Sequence, residues 1–269
     1  MKLEGKVAMV TGGGRGMGRS HCLALAREGA DIVTFDICKD LPPIGYSLSR
    51  NEELDETVGQ VKALGRKAIG LIADVSKAQE VKGVVDRAID KFGKIDILVN
   101  NAGIALIGTP FHEVTEEQWD MILNVNLKGS WLCCKYVIPH MIKQKRGKII
   151  NIASHCGLIG IATIGPYTCA KHGIIGLTRT LAAELAPLGI NVNAICPAAV
   201  DTPMLSKSFE QIGMTFEEAE KEWGGASVVP HELIPPEDIS KVVVWLASED
   251  SRFLHGRSIL VGASTGLIP

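Results

Sequence analysis

The stretch KVAMVTGGGRGMGRSH, residues 6–21, joins an apolar run, a glycine-rich turn and the start of a helical pattern. The turn does not fit GxGxxG; it fits TGxxxGxG, with the defined positions filled by Thr11, Gly12, Gly16 and Gly18. A strand, a glycine turn and a helix in this order bring backbone amides to a helix N-terminus, where they can bind a diphosphate. We therefore predict a phosphate-binding turn, with a plain strand-to-helix connection as the alternative.

Six further apolar runs follow the first, and helical patterns lie between them. They cover residues 31–36, 67–75, 95–103, 147–154, 190–197 and 257–262. Strands that are apolar on both faces and alternate with helices are typical of a parallel sheet covered by helices on both sides. We predict an α/β protein: a single-domain Rossmann fold over residues 1–269, with a doubly wound, seven-stranded parallel sheet.

The composition favours a small-molecule partner. A formal net charge of -2 over 269 residues supplies no basic field for nucleic acid or an anionic membrane. No apolar stretch before the glycines is long enough for a signal peptide or membrane span, so we expect a cytoplasmic protein. Seven cysteines without a CxxC pair disfavour a disulfide framework and indicate mostly buried apolar roles.

Two segments interrupt the alternation of strands and helices. One is ICKDLPPIGYSLSRNEE, residues 37–53, and the other covers about residues 203–236. The second follows the carboxyl end of a predicted strand, where open α/β sheets bind ligands, so we predict a substrate lid rather than a plain surface excursion. The apolar side chains of this lid favour an apolar or cyclic substrate, although they could instead pack the lid onto the rest of the protein. They are Met204, Leu205, Phe209, Met214, Phe216 and Trp223.

Asp36 ends the second predicted strand, twenty residues past Gly16. An acid at this place can accept from both hydroxyls of an adenine ribose. It would also repel a 2′-phosphate by about 4 kcal/mol at roughly 4 Å and an effective dielectric near 20. We therefore predict NAD rather than NADP, with Arg15 as the candidate cation that could compensate. A simple turn acid is the alternative.

Polar or small residues also end the third and fourth strands. Asp74 could accept from the adenine amine, and Asn100–Gly103 (NNAG) would let the backbone approach a flat cofactor. Each alone could be ordinary turn chemistry. Together, at successive strand ends, they outline one extended dinucleotide.

A serine, a tyrosine and a lysine form the predicted reacting end. Ser154 ends the fifth strand, thirteen residues before Tyr167, and Lys171 follows Tyr167 by four, on the same helical face. A lysine ammonium about 4 Å from the phenol would lower the tyrosine pKa by about three units from about 10, close to neutral pH. We predict that Tyr167 removes the proton of an alcohol while Ser154 hydrogen-bonds the same oxygen.

Two rival chemistries use the same segment. Zinc could be bound by His155, Cys156, Cys169 and His172, but adjacent residues just past a strand point in opposing directions. Cys156 could act as a thiol nucleophile with His155 as base, although sequence neighbours rarely reach that geometry. We predict no metal, packing roles for the cysteines, and a surface or substrate-lining histidine.

The chain resembles the classical short-chain dehydrogenases/reductases over essentially its whole length. The motifs that carry the resemblance are TGGGRGMG, NNAG, Asn126 in NVNLKG, Ser154, Tyr167 with Lys171, and NVNAICPAAVDT ending at Thr202. The resemblance implies a catalytic tetrad of Asn126, Ser154, Tyr167 and Lys171, with Asn126 mid-helix holding a water that links Lys171 to solvent. The nucleotide contacts that it and the strand ends together indicate are Gly12, Arg15, Gly16, Met17, Gly18, Asp36, Ile37, Asp74, Val75, Asn101, Ala102, Gly103, Tyr167, Lys171, Pro197, Val200 and Thr202.

A finer resemblance concerns the insert after the second strand, together with AAVDTPM and IPPEDIS. These look like the branch that contains carveol dehydrogenases and mycofactocin-associated NAD enzymes. The resemblance implies a homotetramer whose insert wraps the adenosine end, with tightly held NAD re-oxidised by a redox partner. Two positions depart from the family pattern: Ala198 replaces a glycine, and VGASTG, residues 261–266, replaces an Asp-Gly-Gly.

Three functions follow from these patterns. The first is NAD-dependent interconversion of a secondary alcohol and its ketone, with oxidation as the expected direction. The second is reduction of a 3-oxoacyl thioester, which would need basic residues at the pocket mouth. The third is a nucleotide-sensing protein without turnover, which the intact tetrad disfavours.

Overall fold

A computed structural model describes residues 1–215, 217–218 and 233–262. The seven strands of its sheet are β1 (Val7–Thr11), β2 (Asp31–Asp36), β3 (Ala68–Ile72), β4 (Ile97–Asn100), β5 (Gly147–Ile152), β6 (Ile190–Pro197) and β7 (Ser258–Val261). Their order is β3-β2-β1-β4-β5-β6-β7, and every pairing is parallel. The predicted doubly wound sheet is confirmed; β2 and β6 have the predicted bounds, and the other strands are shorter than the apolar runs.

Helices lie on both faces of the sheet. Those with bounds in the described residues are α1 (Gly16–Arg27), α2 (Asn51–Ala63), α3 (Ala78–Phe92), α4 (Glu116–Leu123), α5 (Gly129–Gln144), α6 (Gly165–Leu185), α7 (Pro203–Gln211) and α8 (Pro236–Ala247). A π-helical segment, Asn124–Lys128, joins α4 to α5 without a break. Residues 116–144 therefore form one continuous helix with a π turn inside it.

The period of two along each strand divides the core into two layers. In β1, Val7 and Met9 pack with α3 and α5 on one face, whereas Ala8 and Val10 pack with α1 and α8 on the other. The buried strand residues are apolar on both faces, which is what crossover helices on both sides require. No face of the central strands is left to water.

The order of the strands creates a crevice at their carboxyl ends. β1 lies between β2 and β4. After β1 the chain adds β2 and β3 on one side, and it then crosses back from the β3 edge to add β4 on the other side of β1. Open α/β sheets bind ligands outside such a reversal point. The glycine turn after β1 and the loop after β4 therefore face each other across this crevice.

Some predictions fall outside the described residues. These are Phe216 and Trp223 of the expected lid, most of the lid beyond α7, and residues 263–266 of the VGASTG segment. Over the described ranges, the helices are either too short or too polar to cross a lipid bilayer.

Candidate active site

The ends of β1 and β4 are locked together by Thr11. Its hydroxyl oxygen accepts from the backbone N–H of Asn101 at 2.9 Å and of Ala102 at 2.8 Å, and the Asn101 amide donates back to Thr11 O at 2.9 Å. These bonds set the width of the crevice. The threonine of TGxxxGxG thus positions the two loops, while the glycines after it admit the ligand.

The glycine turn leaves no room for side chains where it meets its own helix. A Cβ on Gly18 would lie 1.9 Å from Gly12 O, and Gly12 has a φ of +70, which favours glycine. Gly16, by contrast, has no neighbour within 3.5 Å of such a Cβ on its open side, where Thr202 and Pro203 stand 3.6 to 3.8 Å away. The turn is therefore tightly packed at Gly12 and Gly18, whereas it stays open at Gly16.

A cleft of about 860 Å³ begins at this turn and extends along the strand ends. Most of the predicted nucleotide residues line it: Gly12, Arg15, Gly16, Met17, Gly18, Asp36, Ile37, Asp74, Val75, Asn101, Ala102, Gly103 and Thr202. Asn101 also lines this cleft, and its buried Oδ1 has no hydrogen-bond partner among the described residues. A ligand rich in hydrogen-bonding groups would suit this oxygen. In volume and in lining, the cleft fits an extended dinucleotide.

The Asp36 carboxylate already holds two donors at the mouth of the turn. It accepts from the backbone N–H of Gly14 at 2.9 Å and from the Ser49 hydroxyl at 2.5 Å. Arg15 forms no salt bridge with Asp36 among the described residues; its guanidinium instead donates to the carbonyl of Ser47 at 2.6 Å.

The insert, defined here as residues 37–50, forms the outer wall of the cleft. Its Leu41, Tyr46, Leu48 and Ser49 line the cavity, and none of them was assigned a role from the sequence. The Tyr46 hydroxyl accepts from the N–H of Ala105, at 3.0 Å, across the cleft. The sequence did contain a signal for this wall, since an aromatic residue and serines lie between two prolines and the next helix.

Helix α7 holds the insert from the opposite side. The Gln211 amide donates to Ile44 O at 2.6 Å, and the Lys207 ammonium donates to the hydroxyl of Ser47. Because Arg15 bonds the carbonyl of the same Ser47, the insert is tied both to α1 and to the expected lid.

A second cavity of about 720 Å³ adjoins the first. Met17, Thr202 and Met204 line both cavities, so the two spaces meet at these residues. Ser154 and Tyr167 line the second cavity, as do the predicted Pro197 and Val200. The residues expected to react are thus placed beside the inner end of the dinucleotide cleft.

Ser154, Tyr167 and Lys171 converge as the sequence predicts. Ser154 follows β5 and its Oγ accepts from the N–H of Cys156 at 3.2 Å. Tyr167 and Lys171 lie one turn apart on α6, with the ammonium 5.3 Å from the ring centroid of Tyr167. The same ammonium donates to Ile152 O at 2.8 Å, so its position is fixed by the end of β5.

The expected lowering of the tyrosine pKa is not produced by these groups alone. Burial raises the pKa of Tyr167 above its usual value, and a hydrogen bond with Ser154 only partly opposes this. Burial also lowers the pKa of Lys171 to about 8. The Lys171 ammonium lies over the ring of Tyr167 and donates a hydrogen bond to Ile152 O, and it is not among the groups that oppose the effect of burial on the Tyr167 pKa.

Asn126 lies in the π-helical segment and is fully buried. Its side-chain N–H groups donate to Ile104 O and Ile122 O, both at 2.9 Å, and its Oδ1 accepts from the N–H of Ile104 at 3.3 Å. A Cβ on Gly103 would lie 2.7 Å from this Oδ1 and 3.7 Å from Lys171 Nζ. Asn126 therefore anchors the loop after β4 close to the lysine.

The proposed zinc ligands are not brought together. His155 and Cys156 line the second cavity, whereas Cys169 and His172 are exposed on α6, with His172 Nδ1 3.0 Å from Thr168 O. In the described part of the chain, no three His, Cys, Asp or Glu side chains could share a metal ion. Burial raises the pKa of Cys156, so its thiol is poorly suited to be a nucleophile.

Comparison with known proteins identifies the family. Residues 6–213 match the short chain dehydrogenase family. The chain belongs to the short-chain dehydrogenase family. Among curated relatives of this short-chain dehydrogenase, (-)-trans-carveol dehydrogenase of Rhodococcus erythropolis is 39% identical, with 99% of each chain covered. A 3-oxoacyl-acyl-carrier-protein reductase of Thermotoga maritima is 35% identical, with 100% of each chain covered.

A solved structure similar to this short-chain dehydrogenase is carveol dehydrogenase from Mycobacterium avium in complex with NAD. The two chains are 35% identical, with a TM-score of 0.94 and 98% of each covered. Ala198, which replaces a family glycine, keeps a negative φ and donates to Val261 O at 2.9 Å. The backbone at this position is therefore one that alanine adopts without strain.

Proposed function

We propose that the protein oxidises a secondary alcohol to its ketone with NAD, and that Tyr167 is the general base. The observation that carries this proposal is the placement of Ser154 and Tyr167 in a cavity that opens onto the dinucleotide cleft, with Lys171 buried beneath the tyrosine. Asp36, without a compensating cation among the described residues, supports NAD over NADP.

The roles of the protein groups follow from this placement. Tyr167 would accept the alcohol proton, and Ser154 would hydrogen-bond the same oxygen and stabilise the charge that develops on it. Bound NAD would supply the positively charged nicotinamide that accepts the hydride, and the same charge would oppose the raised pKa of Tyr167. Lys171 would hold the nicotinamide ribose, and Asn126 would keep the loop after β4 in place beside it.

The second cavity supports an apolar or cyclic substrate. Its walls include Ile107, Ile164, Val200, Met204 and Leu205. Two of these, Met204 and Leu205, belong to the expected lid; Phe209 is fully buried and does not line the cavity, so it packs the lid instead. Similarity to carveol dehydrogenases supports the same substrate class.

The Tyr167→Phe variant tests the catalytic role. It should bind NAD as the wild type does and lose secondary-alcohol oxidation by about a hundredfold or more, because general-base catalysis contributes on the order of 10² to 10⁴. Tyr136→Phe is the matched control, since Tyr136 lies half-buried on α5 outside both cavities. Retention of oxidation by Tyr167→Phe would remove the proposed base, and a wild type that binds NAD without turnover would favour the sensing role.

We further propose that NAD is retained between turnovers and that a redox partner re-oxidises NADH in place, as in mycofactocin-associated enzymes. The insert supports this, because bonds to Arg15, Ala105, Lys207 and Gln211 hold it over the cleft. Nucleotide absorbance should survive extensive gel filtration, and a redox dye should raise turnover more than added NAD does. Complete loss of nucleotide on the first column would contradict the proposal.

The assembly and location are also proposals. The homotetramer is proposed from the family resemblance alone. Light scattering would test the tetramer. A cytoplasmic location remains an expectation from the sequence.

Reduction of a 3-oxoacyl thioester is a second candidate function. Full-length similarity to an acyl-carrier-protein reductase supports it. Of the basic side chains in and around the insert, Arg15 and Lys207 are bonded to Ser47 and Arg50 is paired with Asp40, which weakens a carrier site at these three residues. Reduction of acetoacetyl-CoA with an efficiency above that for cyclic ketones would favour this alternative.

A further inference from the structure

Ser208 is buried in the wall of the second cavity without a partner for its hydroxyl. It lies on α7, is 1% exposed and lines the cavity together with Met204 and Leu205, the residues four and three positions earlier on the same helical face. Its Oγ has no hydrogen-bond partner within the described ranges. A buried hydroxyl left unpaired costs about 1–3 kcal/mol, so native proteins seldom keep one without a use.

The neighbouring Ser206 shows what a helical serine ordinarily does. Its Oγ donates back to Thr202 O and to Pro203 O, both at 3.4 Å. Ser208 has an equivalent carbonyl one turn earlier, at Met204, yet no such bond is made. The unpaired hydroxyl is therefore a property of this position and not of serines on α7.

The other polar groups of the cavity have assigned partners or assigned work. Ser154 and Tyr167 are taken by the reacting oxygen, and Thr202 caps α7 by accepting from Leu205 N at 3.4 Å while donating to Val200 O at 3.3 Å. His155 lines the same cavity, and its ring nitrogens lie 3.9 Å from Cys156 Sγ, within hydrogen-bonding distance of that thiol. The rest of the wall is largely apolar.

We propose that Ser208 is a specificity residue that hydrogen-bonds a second oxygen of the substrate. The preferred substrate would then be a cyclic secondary alcohol with a further hydroxyl or carbonyl group, a diol or a hydroxyketone, rather than a hydrocarbon alcohol with one oxygen. A site with a buried polar group rejects analogues that leave that group unpaired, which is stronger selection than an apolar wall can provide. This inference rests on the proposed alcohol oxidation and refines it.

The test compares each cyclohexanediol isomer with the methylcyclohexanol of the same ring position, which has similar size and no second oxygen. The wild type should prefer at least one diol over its methyl counterpart in kcat/KM. Ser208→Ala should reduce that preference by about tenfold or more, the effect of losing one buried hydrogen bond, while kcat/KM for cyclohexanol changes by less than about threefold. Ser206→Ala, on the same helix but outside the cavity, should preserve the preference.

Stability gives a readout independent of turnover. Because the Ser208 hydroxyl has no partner in the described protein, Ser208→Ala should keep or raise the melting temperature, whereas Ser206→Ala loses two back-bonds and should not raise it. A marked drop for Ser208→Ala would show a structural role and overturn the proposal. So would equal effects of Ser208→Ala on diols and methyl analogues, or a wild type that oxidises cyclohexanol but prefers no diol. A wild type inactive on every alcohol would overturn the proposed function as well.

Discussion

Replacing Asp36 by alanine should move the nucleotide preference from NAD towards NADP. In the wild type, the carboxylate would meet a 2′-phosphate directly, because it stands at the cleft mouth with its oxygens 2.9 Å from Gly14 N and 2.5 Å from Ser49 Oγ. Arg15 forms no salt bridge with this carboxylate in the described structure and instead donates to Ser47 O. The variant removes the repulsion and at the same time removes the acceptor for the ribose hydroxyls.

The magnitude has two parts. Two like charges about 4 Å apart at an effective dielectric near 20 repel by roughly 4 kcal/mol, or about a thousandfold in the NADP dissociation constant. Loss of the acceptor for the ribose hydroxyls should weaken NAD by roughly tenfold. Since the repulsion estimate is an upper bound at a partly solvated site, the NAD to NADP preference should fall by about 10² to 10³.

The assay is fluorescence titration of nucleotide-stripped protein with NADH and with NADPH. Asp55→Ala is the matched control, because it removes the same charge from an exposed position on α2. An unchanged ratio of dissociation constants for Asp36→Ala, or an equal change in the control, would refute the assignment of Asp36 to the ribose.

Three further predictions concern the inner site and the insert. Gly103→Ala places a Cβ 2.7 Å from Asn126 Oδ1, so urea unfolding should show a loss of about 1–3 kcal/mol together with lost turnover. Because burial lowers the pKa of Lys171 to about 8 from 10.5, the unfolded state binds more protons between these pH values. Lys171 should therefore add about 3 kcal/mol to the free energy of unfolding of the nucleotide-free protein between pH 8 and 10.5, measured as the change over this range in the difference between the wild type and a Lys171→Met variant. Lys207→Ala removes the bond to Ser47, so NADH should dissociate several-fold faster in stopped flow, whereas unchanged release would show that this bond does not hold the insert.

The sheet could be predicted because each of its strands is marked by a local run of apolar residues in the sequence. β2 and β6 have the predicted bounds, whereas β3 ends at Ile72 although the apolar run continues to Val75. The chain turns at Ala73–Val75 to form the cleft wall, and a residue that lines a cavity is as apolar in sequence as one in a strand. The run alone does not distinguish the two.

The site was predictable where spacing alone decides contact. Tyr167 and Lys171 share a helical face, so their approach follows from four residues of separation. The direction of the shift in the Tyr167 pKa did not follow, because it depends mainly on burial, which no spacing reveals. The π turn around Asn126 was equally hidden, since its residues have an ordinary helical pattern.

Helix α7 contributes Met204 to the walls of both cavities and, through Lys207 and Gln211, bonds to the insert that forms the outer wall of the cleft. One short helix therefore contacts both the proposed substrate cavity and the cover of the nucleotide cleft. Substitutions in this helix that favour a new alcohol would also alter how long the coenzyme stays bound, so alcohol specificity and coenzyme residence time would change together. Engineers who reshape the alcohol pocket here should monitor coenzyme release in every round of selection.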